Sequence, residues 1–349
     1  MSGSDTPSQT DVRKVALEAW LGRVLPGGPP SGLEPASADA SFRRYFRLRV
    51  AGGTRIAMDA PPGKEDLGPY VQVAGILHDA GVNVPRVLAR DDGQGFLLLT
   101  DLGDRQYLDA LRAGADPDPL YRDAIAALVR IQSRTAAAAA ILPPYDEGRL
   151  RAELDLFPAW FLERHLRLGL DDAERALIER SFVSLVAAAL GQPRRLVHRD
   201  YHSRNLMVCA DNPGILDFQD AVLGPQTYDL VSLLKDCYVV WPRERQLGWL
   251  RCYLGEAGRA GIGYPGDEAR FLHDFDLMGL QRHLKVLGIF SRLWYRDGKA
   301  GYLADLPRVL DYVLEVTAAR PALAELDAFL RGRVLPAFVA ACSRGAGQP

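Results

Sequence analysis

Apolar positions recur at helical spacing over residues 11–25 (DVRKVALEAWLGRVL), where Val15, Ala19 and the Leu21–Leu25 stretch predict a first helix. A Gly- and Pro-rich break from Pro26 to Pro35 ends it. The period then shortens to two in SFRRYFRLRV (41–50). A turn containing Gly52-Gly53 leads to RIAM (55–58), and the two runs predict a hairpin closed by Pro61-Pro62. Residues 66–80 return to a helical pattern, with Tyr70, Ala74 and Leu77 on one side and Gly81 as the stop. Residues 84–90 and 95–100 read as two more strands, the second carrying the unbroken apolar run FLLL of a buried strand. Beyond Asp101-Leu102-Gly103 the pattern is mainly helical, interrupted by a strand-rich stretch between Leu196 and Phe218. The expected architecture is α+β and bilobal. A small mixed β domain spans 1–100, a hinge falls at 100–103, and a larger helical domain spans 101–349.

Composition narrows the function classes. A chain of 349 residues is long enough for two lobes. With 42 basic and 44 acidic side chains it lacks the bulk positive field that suits general nucleic-acid binding. No apolar run reaches membrane-spanning length, and no basic segment followed by an apolar one opens the sequence. Cys209, Cys237, Cys252 and Cys342 are scattered without a CxxC pair. They read as reduced, packed thiols. The expected compartment is the cytoplasm, and no obligate protein partner is evident.

The chemistry concentrates in LVHRDYHSRNLMV (196–208). An apolar strand end leads into His198-Arg199-Asp200, then four residues, then Asn205 and a second apolar run. Further on, GILDFQD places Asp217 directly after Ile215-Leu216. This is the H-R-D-x-x-x-x-N loop followed by a D-F metal ligand. Phosphoryl transfer needs a carboxylate beside the acceptor hydroxyl and hard oxygen ligands for the magnesium that offsets phosphate charge. Asp200 suits the first task, Asn205 and Asp217 the second. His198 is expected to brace the loop.

HRDYHSRNLM, ILDFQDA and GPQTYDLVSLLKD resemble the aminoglycoside-phosphotransferase and choline-kinase-like superfamily. SFRRYFRL, AMDAPPGKED, GFLLLTDLGDRQYL, LFPAWFLERHL and QRHLKVLGIFSRLWYRDGK resemble its bacterial anomeric N-acetylmuramate/N-acetylglucosamine kinases, so the likeness covers nearly the whole chain. The resemblance implies a protein-kinase-like fold, ATP as co-substrate, magnesium as cofactor and a small-molecule sugar as acceptor. It further implies Asp200 as catalytic base, Asn205 and Asp217 as metal ligands, and Asp229 in TYDL as the buried carboxylate holding the loop. Thr100, Asp101, Leu102 and Gly103 would offer hinge backbone groups to adenine. Such an enzyme phosphorylates the anomeric hydroxyl in peptidoglycan recycling, and its 1-phosphate feeds nucleotide-sugar synthesis. The alternatives are a kinase of the same fold acting on an aminoglycoside, choline or another metabolite, and a nucleotide-binding pseudokinase.

Two kinase parts are missing. No G-x-G-x-x-G loop is present, and RIAMD carries Asp59 where V-A-I-K carries lysine. Some other cation should meet the phosphates, and Arg43 and Arg44 are the candidates. Strand alternation puts Arg44 on the face of Phe42, Phe46 and Leu48, where phosphates would relieve an otherwise costly guanidinium. Glu65 or Asp66 is placed to pair with one of these arginines. For the acceptor, the apolar stretch QRHLKVLGIFSRLW (281–294) holds Arg282, His283, Lys285 and Arg292. Arg282 and His283 are expected to face a polar cavity suited to a lactyl carboxylate, with His202 and Tyr295 also touching the sugar.

Overall fold

The computed structural model describes residues 11–30, 32–38 and 42–343. In chain order its first elements are α1 (Val12–Val24), β1 (Glu34–Ala38), β2 (Arg44–Val50), β3 (Gly53–Asp59), α2 (Leu67–Asp79), β4 (Val87–Asp91) and β5 (Phe96–Thr100). There follow α3 (Tyr107–Arg112), α4 (Pro117–Arg134), α5 (Glu147–Leu154), α6 (Asp172–Leu190), β6 (Arg194–Val197), β7 (Leu206–Met207), β8 (Gly214–Ile215) and β9 (Val222–Pro225). The chain continues through α7 (Tyr228–Leu234), α8 (Arg243–Arg259), α9 (Glu268–Asp297) and α10 (Leu306–Ala318), with shorter helical turns to the end. Two compact units result. One runs through Arg105 and takes in Met207–Gln219; the other comprises Gln106–Leu206 and the chain from Asp220 onward.

In the first unit the strands form an antiparallel sheet in the order β1-β2-β3-β5-β4. Register aligns Phe46 with Ala57 and Ala57 with Leu98, so one sheet face presents Phe46, Leu48, Ala57, Phe96 and Leu98. Leu17, Trp20 and Leu21 of α1 cover that face. Burying each large side chain contributes about 1.5–3 kcal/mol. β1 lies in what the sequence presents as a Gly/Pro break. It tolerates Pro35 because it is an edge strand, and a bulge sits between Pro35 and Ser37.

The division falls after Arg105, slightly beyond the hinge expected at 100–103. The segment 207–219, expected in the helical domain, groups with the first unit instead. Hydrogen bonds account for this. Val208 N donates to Arg105 O (2.8 Å), Ile215 N to Asn83 O (2.8 Å) and Asn83 Nδ2 to Asp211 O (2.7 Å). The Cys209 thiol donates to Leu102 O (3.2 Å).

The second unit is mainly helical, with β6 and β9 paired antiparallel. Its long helix α9 is capped before Glu268 by Asp267, whose side chain accepts from Arg270 N, and after Asp297 by Gly298 in the left-handed conformation (φ 69°). A π-helical stretch at Phe157–His165 packs on α9. At Gly288 the approach is so close that a Cβ would lie 2.4 Å from the Leu156 backbone, so no other residue fits without displacement. Among the described residues no helix is long and apolar enough to cross a membrane. All four cysteines are free thiols.

Candidate active site

Within the second unit the loop after β6 is fixed by its own hydrogen bonds. Asp229, in the first turn of α7 and fully buried, accepts from the backbone N–H groups of His198 (2.6 Å) and Arg199 (3.0 Å). Burial pushes its carboxyl up to about 6, against the opposing pull of His198 and the two amides. These two bonds span Arg199, whose φ of 77° is strained for a residue with a side chain. His198 Nδ1 accepts from Asp200 N (3.3 Å), and Tyr201 Oη donates to Ala124 O (2.8 Å). Ser203 donates to Asp236 through both its amide (3.0 Å) and its hydroxyl (2.5 Å). Asn205 closes the loop, its amide donating to His202 O and its Nδ2 to Asp200 O, both at 2.9 Å.

A buried network of charges packs behind Asp200. Lys285 Nζ contacts Glu153 (2.9 Å) and donates to Tyr228 Oη (3.0 Å). Arg199 and Tyr145 also reach Glu153. Arg282 Nη1 donates to Arg199 O and Tyr228 Oη, each at 3.3 Å, and its guanidinium lies over the Tyr228 ring. Burial alone would raise the Asp200 carboxyl. The charges of Arg282 and Lys285, helped by His202 and Arg199, outweigh it and hold the group at about 2. Asp200 is therefore ionised and weakly basic, suited to orienting a hydroxyl and accepting a proton late.

The residues expected to touch a sugar are placed differently from one another. Arg282, only 3% exposed, is enclosed by the network just described. His283 is fully buried, its Nε2 on Lys235 O (3.0 Å) and its ring stacked on Tyr312 at 4.7 Å. Burial depresses it to about 3, so it is a neutral packing group. Tyr295 is half-buried, with its hydroxyl 3.3 Å from His165 Nδ1. His202 lies edge-on to Tyr238 (5.3 Å), and its Nδ1 is buried without a hydrogen-bond partner.

In the first unit, Asp217 adopts φ 62° and accepts from Gln219 Nε2 (2.8 Å). Phe218 anchors this turn, fully buried with its ring 4.9 Å from Tyr70 of α2. In the segment 100–103, Thr100 Oγ1 accepts from Arg86 N, and Asp101 accepts from Arg47 and Gly103 N. The Leu102 and Gly103 carbonyls accept from Cys209 and Arg47. Arg44, expected to turn to phosphates, instead bonds Asp59 and Asp11 on the sheet face under α1. The reason is Asp59 itself. This carboxylate is buried on that face and draws in both Arg13 and Arg44. Arg43 points the other way and pairs with Glu65 at 3.8 Å; Glu65 also accepts from Phe42 N.

Sequence reasoning missed Glu153, Tyr228 and Asp236. Tyr228 sits inside the motif TYDL and was within reach, whereas Glu153 is one ordinary acid in an exposed-looking helix and sends no signal.

Comparison with known proteins identifies the family. A curated N-acetylmuramate/N-acetylglucosamine kinase of Pseudomonas aeruginosa is 49% identical over 329 residues, covering 92% of this chain and 96% of that one. A protein of the same description from Pseudomonas putida is 48% identical, covering 90% and 95%. The GDP complex of an aminoglycoside 2′-phosphotransferase shares the fold, with a TM-score of 0.59 at 17% identity over 89% of this chain and 99% of that one. Residues 32–269 match the profile of the phosphotransferase enzyme family. With that match spanning most of the chain, the protein belongs to the phosphotransferase enzyme family.

Proposed function

We propose that this protein is an ATP- and magnesium-dependent kinase of the anomeric hydroxyl of N-acetylmuramate and N-acetylglucosamine, acting in the cytoplasm in peptidoglycan recycling. The carrying observation is the near-full-length identity to curated kinases of that description. Asp200 orients the hydroxyl and takes its proton. An anomeric hydroxyl is more acidic than an ordinary alcohol, which matches a carboxylate held at about 2. Transfer is direct and in line, without a covalent enzyme intermediate.

Asn205 and Asp217 are the residues to hold magnesium, and their donor chemistry fits. Asn205 commits its Nδ2 to Asp200 O, so its oxygen is the end that suits a hard cation. When bound, the ion offsets charge on the transferring phosphoryl group. Arg43, paired with Glu65, takes the part of the missing lysine, and residues 100–103 offer backbone groups to adenine. The 1-phosphate product leaves for a separate nucleotidyltransferase.

The deciding experiment is ADP release with ATP and magnesium, offering N-acetylmuramate, N-acetylglucosamine, an aminoglycoside and choline in parallel. Turnover should appear with the two amino sugars and fall roughly a hundred- to ten-thousand-fold in Asp200→Asn. Turnover confined to the aminoglycoside or choline would reassign the acceptor. ATP binding without turnover on any acceptor would point to a pseudokinase.

A further inference from the structure

The second unit holds one cation of the catalytic loop whose charge is not matched by an acid. Arg204 lies between Asp200 and Asn205 and is half-buried. Its guanidinium sits 4.7 Å from the Tyr238 ring centroid and 5.9 Å from that of Tyr302. Among the described residues no Asp or Glu forms an ion pair with it; burial opposes its charge, and Tyr238 and Tyr302, which also accept side-chain hydrogen bonds from it, favour it. Its neighbours differ. Arg199 and Lys285 share the single carboxylate of Glu153, and Arg282, although it too has no ion pair with an acid among the described residues, is 3% exposed and donates to Tyr228 and the Arg199 carbonyl.

The surroundings of Arg204 form a wall rather than a loose surface. Tyr238 packs on Phe290 (6.3 Å) and Phe290 on Tyr302 (5.1 Å). His202 meets the Tyr238 ring edge-on and leaves Nδ1 buried without a partner. Asp236 fixes both sides of this arrangement, accepting from Tyr238 N (2.9 Å) through one oxygen and from Ser203 through the other. Aromatic faces with a fork of donors stacked on them suit a sugar ring carrying a carboxylate, since Arg offers paired donors to that group.

We propose that Arg204, stacked on Tyr238 and Tyr302, forms the acceptor subsite that reads the lactyl carboxylate of N-acetylmuramate, the group N-acetylglucosamine lacks. This rests on the sugar-kinase reading and names the specificity residue within it. Stacking restricts the guanidinium before the sugar arrives, so little side-chain freedom is lost on binding. The residues first expected in this role are enclosed: Arg282 is 3% exposed and donates through Nη1 to Tyr228 and the Arg199 carbonyl, and His283 is a fully buried neutral ring with Nε2 on the Lys235 carbonyl, while Arg282 Nε and His283 Nδ1 are buried without a partner.

The test compares kcat/KM for the two sugars in the wild type, Arg204→Gln and Arg204→Lys. A charge-assisted contact of ordinary strength predicts a loss of about 10- to 100-fold for N-acetylmuramate in Arg204→Gln. The loss for N-acetylglucosamine should be several-fold smaller, and Arg204→Lys should recover part of the difference. In parallel, the methyl ester of N-acetylmuramate is offered to the wild type, which removes the ligand charge without touching the protein. The ester should be the poorer substrate by a similar factor. Equal losses for both sugars in Arg204→Gln, or an ester as good as the free acid, would overturn the assignment. Should Arg204→Gln fail to fold, Arg204→Lys and the ester still decide. Wild-type protein that turns over neither sugar overturns the kinase reading itself, and is distinguishable because no variant is needed to see it.

Discussion

Neutralising Glu153 should be strongly destabilising. Its side chain is 12% exposed and serves Lys285, which is 6% exposed, together with Arg199 and Tyr145. Those surrounding charges overcome the burial that would otherwise raise Glu153 and keep its carboxyl below the usual range, so it is ionised at neutral pH. In Glu153→Gln a buried ammonium keeps only the Tyr228 hydroxyl as its nearest partner. Removing one member of a buried pair costs about 3–5 kcal/mol. The amide oxygen of Gln retains part of the interaction, so about 3 kcal/mol is expected. Lys285→Met leaves Glu153 with Arg199 still beside it and should cost less, about 1–2 kcal/mol. The double variant removes both charges together. It should cost about 2 kcal/mol rather than the sum of the singles, a coupling of about 2–3 kcal/mol. Urea unfolding of the four proteins, followed by tryptophan fluorescence with the slopes checked for constancy, measures each value. A double variant whose loss equals the sum within about 0.5 kcal/mol would refute the pairing.

Three further outcomes follow from the same geometry. Arg44→Ala should lower stability by about 1–3 kcal/mol by leaving Asp59 with Arg13 alone, while KM for ATP moves little; a large rise in that KM would return Arg44 to the phosphates. Arg43→Ala should do the reverse, raising KM for ATP or lowering kcat with a modest change in melting temperature, and an unchanged steady-state profile would remove Arg43 from the nucleotide site. For His283, the folded form binds fewer protons than the unfolded one between about 3 and the ordinary value of 6.5. Its contribution to stability is therefore present above pH 6.5 and is lost as the pH falls, by up to about 1.4 kcal/mol per pH unit. Urea midpoints of the wild type and His283→Gln across pH 4.5–7 should converge at the acid end, and parallel curves would contradict a buried neutral ring.

The candidate loop from His198 to Asn205 was legible in the sequence because its spacing is local. Asp200, Asn205 and the D-F pair sit within one short stretch, and Asp229 follows in a recognisable motif. Side-chain direction on the β2 strand was half legible. Alternation grouped Arg44 with Phe46 and Leu48, but only the docking of α1, from well upstream in the chain, decides that this face is the covered one. The basic residues of α9 misled for a related reason. A cation on an apolar helix implies a polar partner, and the sequence suggested a ligand where the fold supplies Glu153 and Tyr228 from two other helices. β1 was hidden by Pro35 and the Gly/Pro-rich stretch before it; an edge strand tolerates such a proline and a central one does not.

The grouping of Met207–Gln219 with the earlier chain bears on how the protein is made and cut. The polypeptide passes from one unit to the other after Arg105, after Leu206 and again after Gln219, so neither unit is a continuous stretch. During synthesis the first sheet emerges early, yet Asn83, Leu102 and Tyr70 must wait for Ile215, Cys209 and Phe218 to be translated before their contacts can form. A fragment ending at Arg105 would carry all five strands of its sheet and still lack those partners. Genetic separation of the two units therefore requires a rearranged chain order rather than a single cut.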